Sequence, residues 1–84
     1  MPDMDRRIFE MGLSVEATSL YLLMESLSDS GVSLNRASVL PYWNATEQEL
    51  DEAFDELLRR NVVSVGVNGT WMTRPSSEWH WEGG

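Results

Sequence analysis

TEQELDEAFDELLRRNVVSV, residues 46–65, is the stretch on which the reading of this 84-residue chain turns. Thr46 and Glu49 are the two ends of a capping box, in which a hydroxyl and a carboxylate reciprocally satisfy the orphan amides of a helix start. Leu50, Ala53, Phe54, Leu57 and Leu58 follow at i, i+3, i+4, i+7 and i+8, the spacing of a helix with one buried face. Arg59 and Arg60 suit the negative end of the helix dipole, and Asn61 can take the left-handed conformation that ends the helix. The period then changes to two, with Val63, Val65 and Val67 alternating with Ser64 and Gly66. Asn68-Gly69 signals a two-residue type I′ turn, Thr70-Trp71-Met72-Thr73 is the returning strand, and Pro75 closes it.

Upstream, Ser14 is a good N-cap and Glu16 sits near the positive end of the dipole. Ala17, Leu20, Met24 and Leu27 form a core-facing stripe that Tyr21 and Leu23 widen, and Ser28-Asp29-Ser30-Gly31 stops the helix. Val32-Ser33-Leu34 suits a single bridge onto a sheet. Asn35 can cap a short second helix carrying Ala37, Val39, Leu40 and Trp43. Pro41 requires that helix to be short or to begin near Ser38, and Asn44 is a plausible left-handed stop. In residues 1–13, Asp3 or Asp5 caps a weak helix with Met4, Ile8 and Met11 on one face and Gly12 at its end. The tail, residues 75–84, is polar apart from Trp79 and Trp81.

The order of helix, short strand, short helix, long helix and hairpin resembles the winged helix-turn-helix superfamily over residues 14–74. The residues that carry the resemblance are the turn Trp43-Asn44-Ala45-Thr46, the helix ending LLRRNVV, and the hairpin NGTWMT. The resemblance implies an α+β fold in a single domain, 1–84. Its parts are a three-helix core, a C-terminal β-hairpin wing and a short third strand, to which residues 1–13, outside the resemblance, can add an extra N-terminal helix. It also implies that the third helix is the element that usually enters the DNA major groove.

Composition argues against that use. Fourteen acidic residues face six basic ones, all of them Arg, for a net charge of −8. Such a surface repels phosphate and anionic lipid and favours a basic partner. If the apolar stripe of the third helix is buried, Gln48, Asp51, Glu52, Asp55, Glu56 and Arg59 face outward, where a DNA reader needs Arg, Lys, Asn or Gln. The favoured expectation is therefore a protein-protein interaction or regulatory module. Its candidate contacts are Gln48, Asp51, Glu52, Asp55 and Glu56 on the helix, and Trp79 and Trp81 in the tail. A DNA-binding regulator is the second reading, and a homodimer through the N-terminal segment and the tail is a third arrangement. The plainer alternatives are a solvated acidic face, and a tail that folds back over the first helix or the N-terminal segment.

No enzyme, cofactor or metal is expected. His80 is the lone histidine and has no triad around it. Asp51/Asp55 and Glu52/Glu56 lie one turn apart, without the His ligands or carbonyl-rich loop that would favour a cation. Cysteine is absent, so disulfides and thiolate sites are excluded. Asn44-Ala45-Thr46 and Asn68-Gly69-Thr70 match glycosylation sequons, but turn chemistry already accounts for both Asn. The Gly83-Gly84 end reads as a frayed tail. No charged-then-apolar leader and no long apolar run occurs, which predicts a cytoplasmic protein without a membrane segment.

Overall fold

The computed structural model describes residues 6–81. It is an α+β fold of three α-helices and one two-stranded antiparallel hairpin. The helices are α1 (Val15–Asp29), α2 (Arg36–Val39) and α3 (Glu47–Arg59), and the strands are β1 (Val63–Val65) and β2 (Trp71–Thr73). Short 3₁₀ turns cover Arg6–Glu10, Leu40–Tyr42 and Ser76–Glu78. Asp3, Met4, Asp5 and Gly83-Gly84, named above as caps, core or tail, lie outside the described residues.

Local chemistry explains the helix ends. Ser14 Oγ accepts the Ala17 amide at 3.1 Å, and Thr46 and Glu49 close their capping box at 3.1 Å in both directions. Asn35 and Ser38 form a second reciprocal box. Gly31 (φ +81°) ends α1 by donating to Ser28, while Val32 donates to Leu27. Asn61 (φ +59°) repeats the device at α3, donating to Leu58 while Val62 donates to Leu57. In both cases the left-handed residue satisfies carbonyls that the helix leaves open.

Three expectations about the backbone change. Among non-glycine residues described, only Asn61 has positive φ, so Asn44 is not a left-handed stop. Instead α2 tightens into the 3₁₀ turn at Leu40–Tyr42, which holds Pro41 where its missing N–H costs little, and Trp43 leaves extended. The hairpin turn is not type I′, which needs positive φ at both central residues. Val65 pairs with Trp71, the Gly66 amide donates to Thr70 and Gly69 donates back to Gly66, so the loop has three residues with left-handed Gly69 last. Finally, the segment before α2 contributes one sheet-like hydrogen bond, Trp71 N–H to the Leu34 carbonyl at 2.7 Å, rather than a third strand.

One contiguous core joins the elements. It takes Ala17, Leu20, Tyr21, Met24 and Leu27 from α1, Leu50, Ala53 and Leu57 from α3, and Val62, Val63 and Trp71 from the hairpin. Leu58 was expected in that stripe but is 37% exposed. At 3.6 residues per turn it lies about 80° around the helix from Leu50, at the edge of the buried face. Phe54 sits between and stacks on Trp71, with ring centroids 4.0 Å apart.

The tail folds back, as the plainer reading of it proposed. Trp79 is 4% exposed, meets Tyr21 of α1 edge to face, and donates its indole N–H to the Arg74 carbonyl. Trp81 lies against Trp79 and is 41% exposed. Arg60 holds both ends of the described chain: its guanidinium donates to the carbonyls of His80 and Met11, and its own carbonyl accepts the His80 amide. Ile8 and Met11 complete the core beneath. Trp79→Ala is therefore expected to lower the free energy of unfolding in urea by about 3–5 kcal/mol, a large share of the total for so small a domain. Trp81→Ala should cost less than about 1 kcal/mol. Equal effects of the two would refute the folded-back tail.

Candidate functional site: the acidic face of the third helix

Burial of Leu50, Ala53 and Leu57 sets the rotation of α3 and sorts its carboxylates into three rows. Glu47 and Asp51 lie on the side toward α2. Glu49 and Glu56 lie on the side toward α1. Gln48, Glu52, Asp55 and Arg59 point away from the core, between the two.

The flanking rows are occupied by the fold itself. Arg36, the first residue of α2, reaches across to Asp51 at 2.9 Å and to Glu47 at 2.9 Å. Hydrogen bonding from the guanidinium holds the Asp51 carboxyl below the ordinary aspartate range, and the two carboxylates, Asp51 first, hold Arg36 above its own. On the opposite flank, Glu56 accepts the Ser14 amide at 2.9 Å and the Ser14 hydroxyl at 2.8 Å. It thereby fastens α3 to the N-cap of α1. Glu49 belongs to the capping box of its own helix.

The central row is different. Among the described residues, Glu52 accepts only a side-chain amide, from Gln48 at 3.2 Å, and Asp55 meets Arg59 one turn on at 3.4 Å. These four side chains lie with Arg36, Glu47, Asp51 and Glu56 around one open surface depression, where five carboxylates face two guanidiniums. The i, i+4 carboxylate pairs do not converge, because each member has a separate partner. Among the described residues no cluster of His, Asp and Glu is arranged to hold a metal ion.

Of the residues singled out in the sequence, Gln48, Asp51, Glu52, Asp55 and Glu56 thus share one face, but only Gln48, Glu52 and Asp55 are uncommitted to another element. Trp79 and Trp81 are not part of this face. Trp79 packs into the core, and its burial leaves little surface for a partner. His80 is part of the tail's attachment, with Nδ1 3.3 Å from the Arg59 carbonyl. Sequence reasoning missed the bridging role of Arg36 and the lock between Glu56 and Ser14. Both are long-range contacts, and neither residue's spacing within its own helix announces them.

Neither protein-family models nor curated proteins nor solved structures give a match to this chain. No helix among the described residues is long and apolar enough to cross a membrane.

The depressed Asp51 value fixes the sign of its pH dependence. Its contribution to stability is complete above the unfolded-state value, about 3.9, and is lost as pH falls through the lower folded-state value. An NMR titration of side-chain carboxyls should show Asp51 titrating below the usual range, and Arg36→Gln should return it there. An unchanged midpoint in that variant would mean that the pair does not form in solution.

Proposed function

We propose that this chain is a winged-helix module that binds a protein partner through the acidic face of α3 and does not act as a strong DNA binder. The winged-helix reading is supported by the order of elements and by the Leu34–Trp71 hydrogen bond, which seats the hairpin against the segment before α2. The reading is non-enzymatic and needs no cofactor.

The observation that carries the functional reading is the central row of α3, where Glu52 and Asp55 stand outward and Arg59 is their only basic neighbour within it. In DNA-binding use this helix would press those carboxylates against phosphates, which costs several kcal/mol where a site should gain. Four of the six Arg are already engaged within the fold. Arg36, Arg59 and Arg74 are paired with Asp51 and Glu47, Asp55, and Glu78 respectively, and Arg60 is turned to backbone carbonyls. The hairpin tip, Val67-Asn68-Gly69, carries no charge. A basic protein surface meets the same face without repulsion, and steering toward it is fastest at low salt.

Two measurements test this. A gel-shift titration with mixed-sequence duplex at low salt and micromolar protein should show no complex; a salt-sensitive shift would favour the DNA reading instead. Capture with the full chain should retain a defined basic partner, and Glu52→Arg with Asp55→Arg should abolish that retention while the circular dichroism spectrum is unchanged. Retention that survives both reversals removes α3 from the interface.

A further inference from the structure

A second surface adjoins the acidic face on the α1 side. Val15, Ser19 and Leu23 of α1 and the Tyr42-Trp43-Asn44-Ala45 segment enclose a groove of about 350 Å³, with Glu16 on its rim. That volume is at the small end of ligand sites, which suits a short segment rather than a domain. Tyr42 is 59% exposed and Val15 77% exposed, so apolar surface stands open at the mouth. One wall is fixed: the Trp43 indole N–H donates to the Thr46 carbonyl at 2.9 Å and its amide to Leu40 at 3.1 Å. An aromatic wall held in place costs little ordering when something binds.

Charge identifies the occupant. Glu16 also lines the neighbouring cleft between α1 and α3, together with Glu49, Glu52 and Glu56, and among the described residues no basic side chain lines either. We propose that the groove docks a short peptide segment of a partner protein carrying one large apolar side chain with Lys or Arg within two residues of it. The apolar side chain lies between Val15, Leu23, Tyr42 and Trp43, and the cation meets Glu16 and the cleft beyond. An anionic segment is repelled there, and a second copy of this chain brings its own net charge of −8. The inference rests on the reading of the chain as a module for a basic partner, and adds a specificity site to it.

Selection of a random heptapeptide phage library on the full chain tests the occupant, followed by NMR mapping with the selected peptide. The expected consensus pairs a large apolar residue with Lys or Arg, and its peptide shifts the Trp43 indole and the amides of Val15, Ser19 and Leu23. Tyr42→Ala should weaken it about tenfold and Glu16→Gln about threefold to tenfold, with Val67→Ala at the exposed hairpin tip within about twofold. Tyr42 and Glu16 are exposed, and the amide spectrum of each variant verifies its fold. No enrichment, or a consensus without basic residues, overturns the proposal. Shifts confined to Gln48, Glu52 and Asp55 overturn the groove while leaving the α3 face standing. Concentration-dependent shifts of Val15, Leu23 and Trp43 without peptide would show a second copy in the groove and overturn it as well.

Discussion

Leu50, Ala53 and Leu57 enter the core along one line of α3, and their burial against α1 fixes the rotation of that helix. Everything on its surface follows from that rotation. A turn of about 100°, one residue's advance, would carry Asp51 away from Arg36 and expose a different set of carboxylates. The apolar stripe is narrow, so most of the circumference is left for polar residues. The fold uses both margins of it. Arg36 neutralises one margin, Ser14 satisfies Glu56 on the other, and what remains is a central strip bounded by committed side chains.

The end of the same helix organises both ends of the described chain. Asn61 takes positive φ and redirects the backbone, so that Val62 and Val63 enter the core three and four residues after Arg59, where the helix ends. Arg60 then ties Met11 and His80 to that corner, and the Asn61 side-chain amide donates to the Glu78 carbonyl at 2.8 Å. A small domain has little core to spare. Here Ile8, Met11 and Trp79 supplement it from outside the three helices and the hairpin. The aromatic tail is therefore better understood as closure of the core than as a free docking arm.

What the sequence made legible was local. Caps at Ser14, Asn35 and Thr46, the stop at Asn61 and the change from helical to alternating period depend on residues within a few positions of one another. The hairpin turn was misread because Asn68-Gly69 is a strong two-residue signal. Pairing of Gly66 with Thr70 shifted the register and placed only Gly69 in the left-handed region. Leu58 was misplaced because a list of i, i+3 and i+4 positions does not say where a stripe ends. The candidate face was legible as a set of residues, since their spacing puts them on one side. Its division into committed and uncommitted carboxylates was not, because Arg36 and Ser14 are brought to it by tertiary packing. The groove beside Trp43 was invisible for the same reason.

The uncommitted strip also has an energetic consequence. Like charges one turn apart disfavour a helix by a few tenths of a kcal/mol, and excess net charge opposes the compact state. Glu52 and Glu56 form such a pair, and so do Asp51 and Asp55. Arg36 and Arg59 offset part of the repulsion, and the first-turn acids Glu47 and Glu49 are favoured by the helix dipole. Glu52, at the centre of the outward row, accepts from the neutral Gln48 amide. A partner that brings positive charge to this position relieves repulsion in the folded state alone, because the unfolded chain spreads the same charges apart. Such binding stabilises the fold by mass action, and in a domain with a thin stability margin the two equilibria are joined. The acidic face thus carries a folding cost in the free protein that a basic partner of the kind proposed would remove.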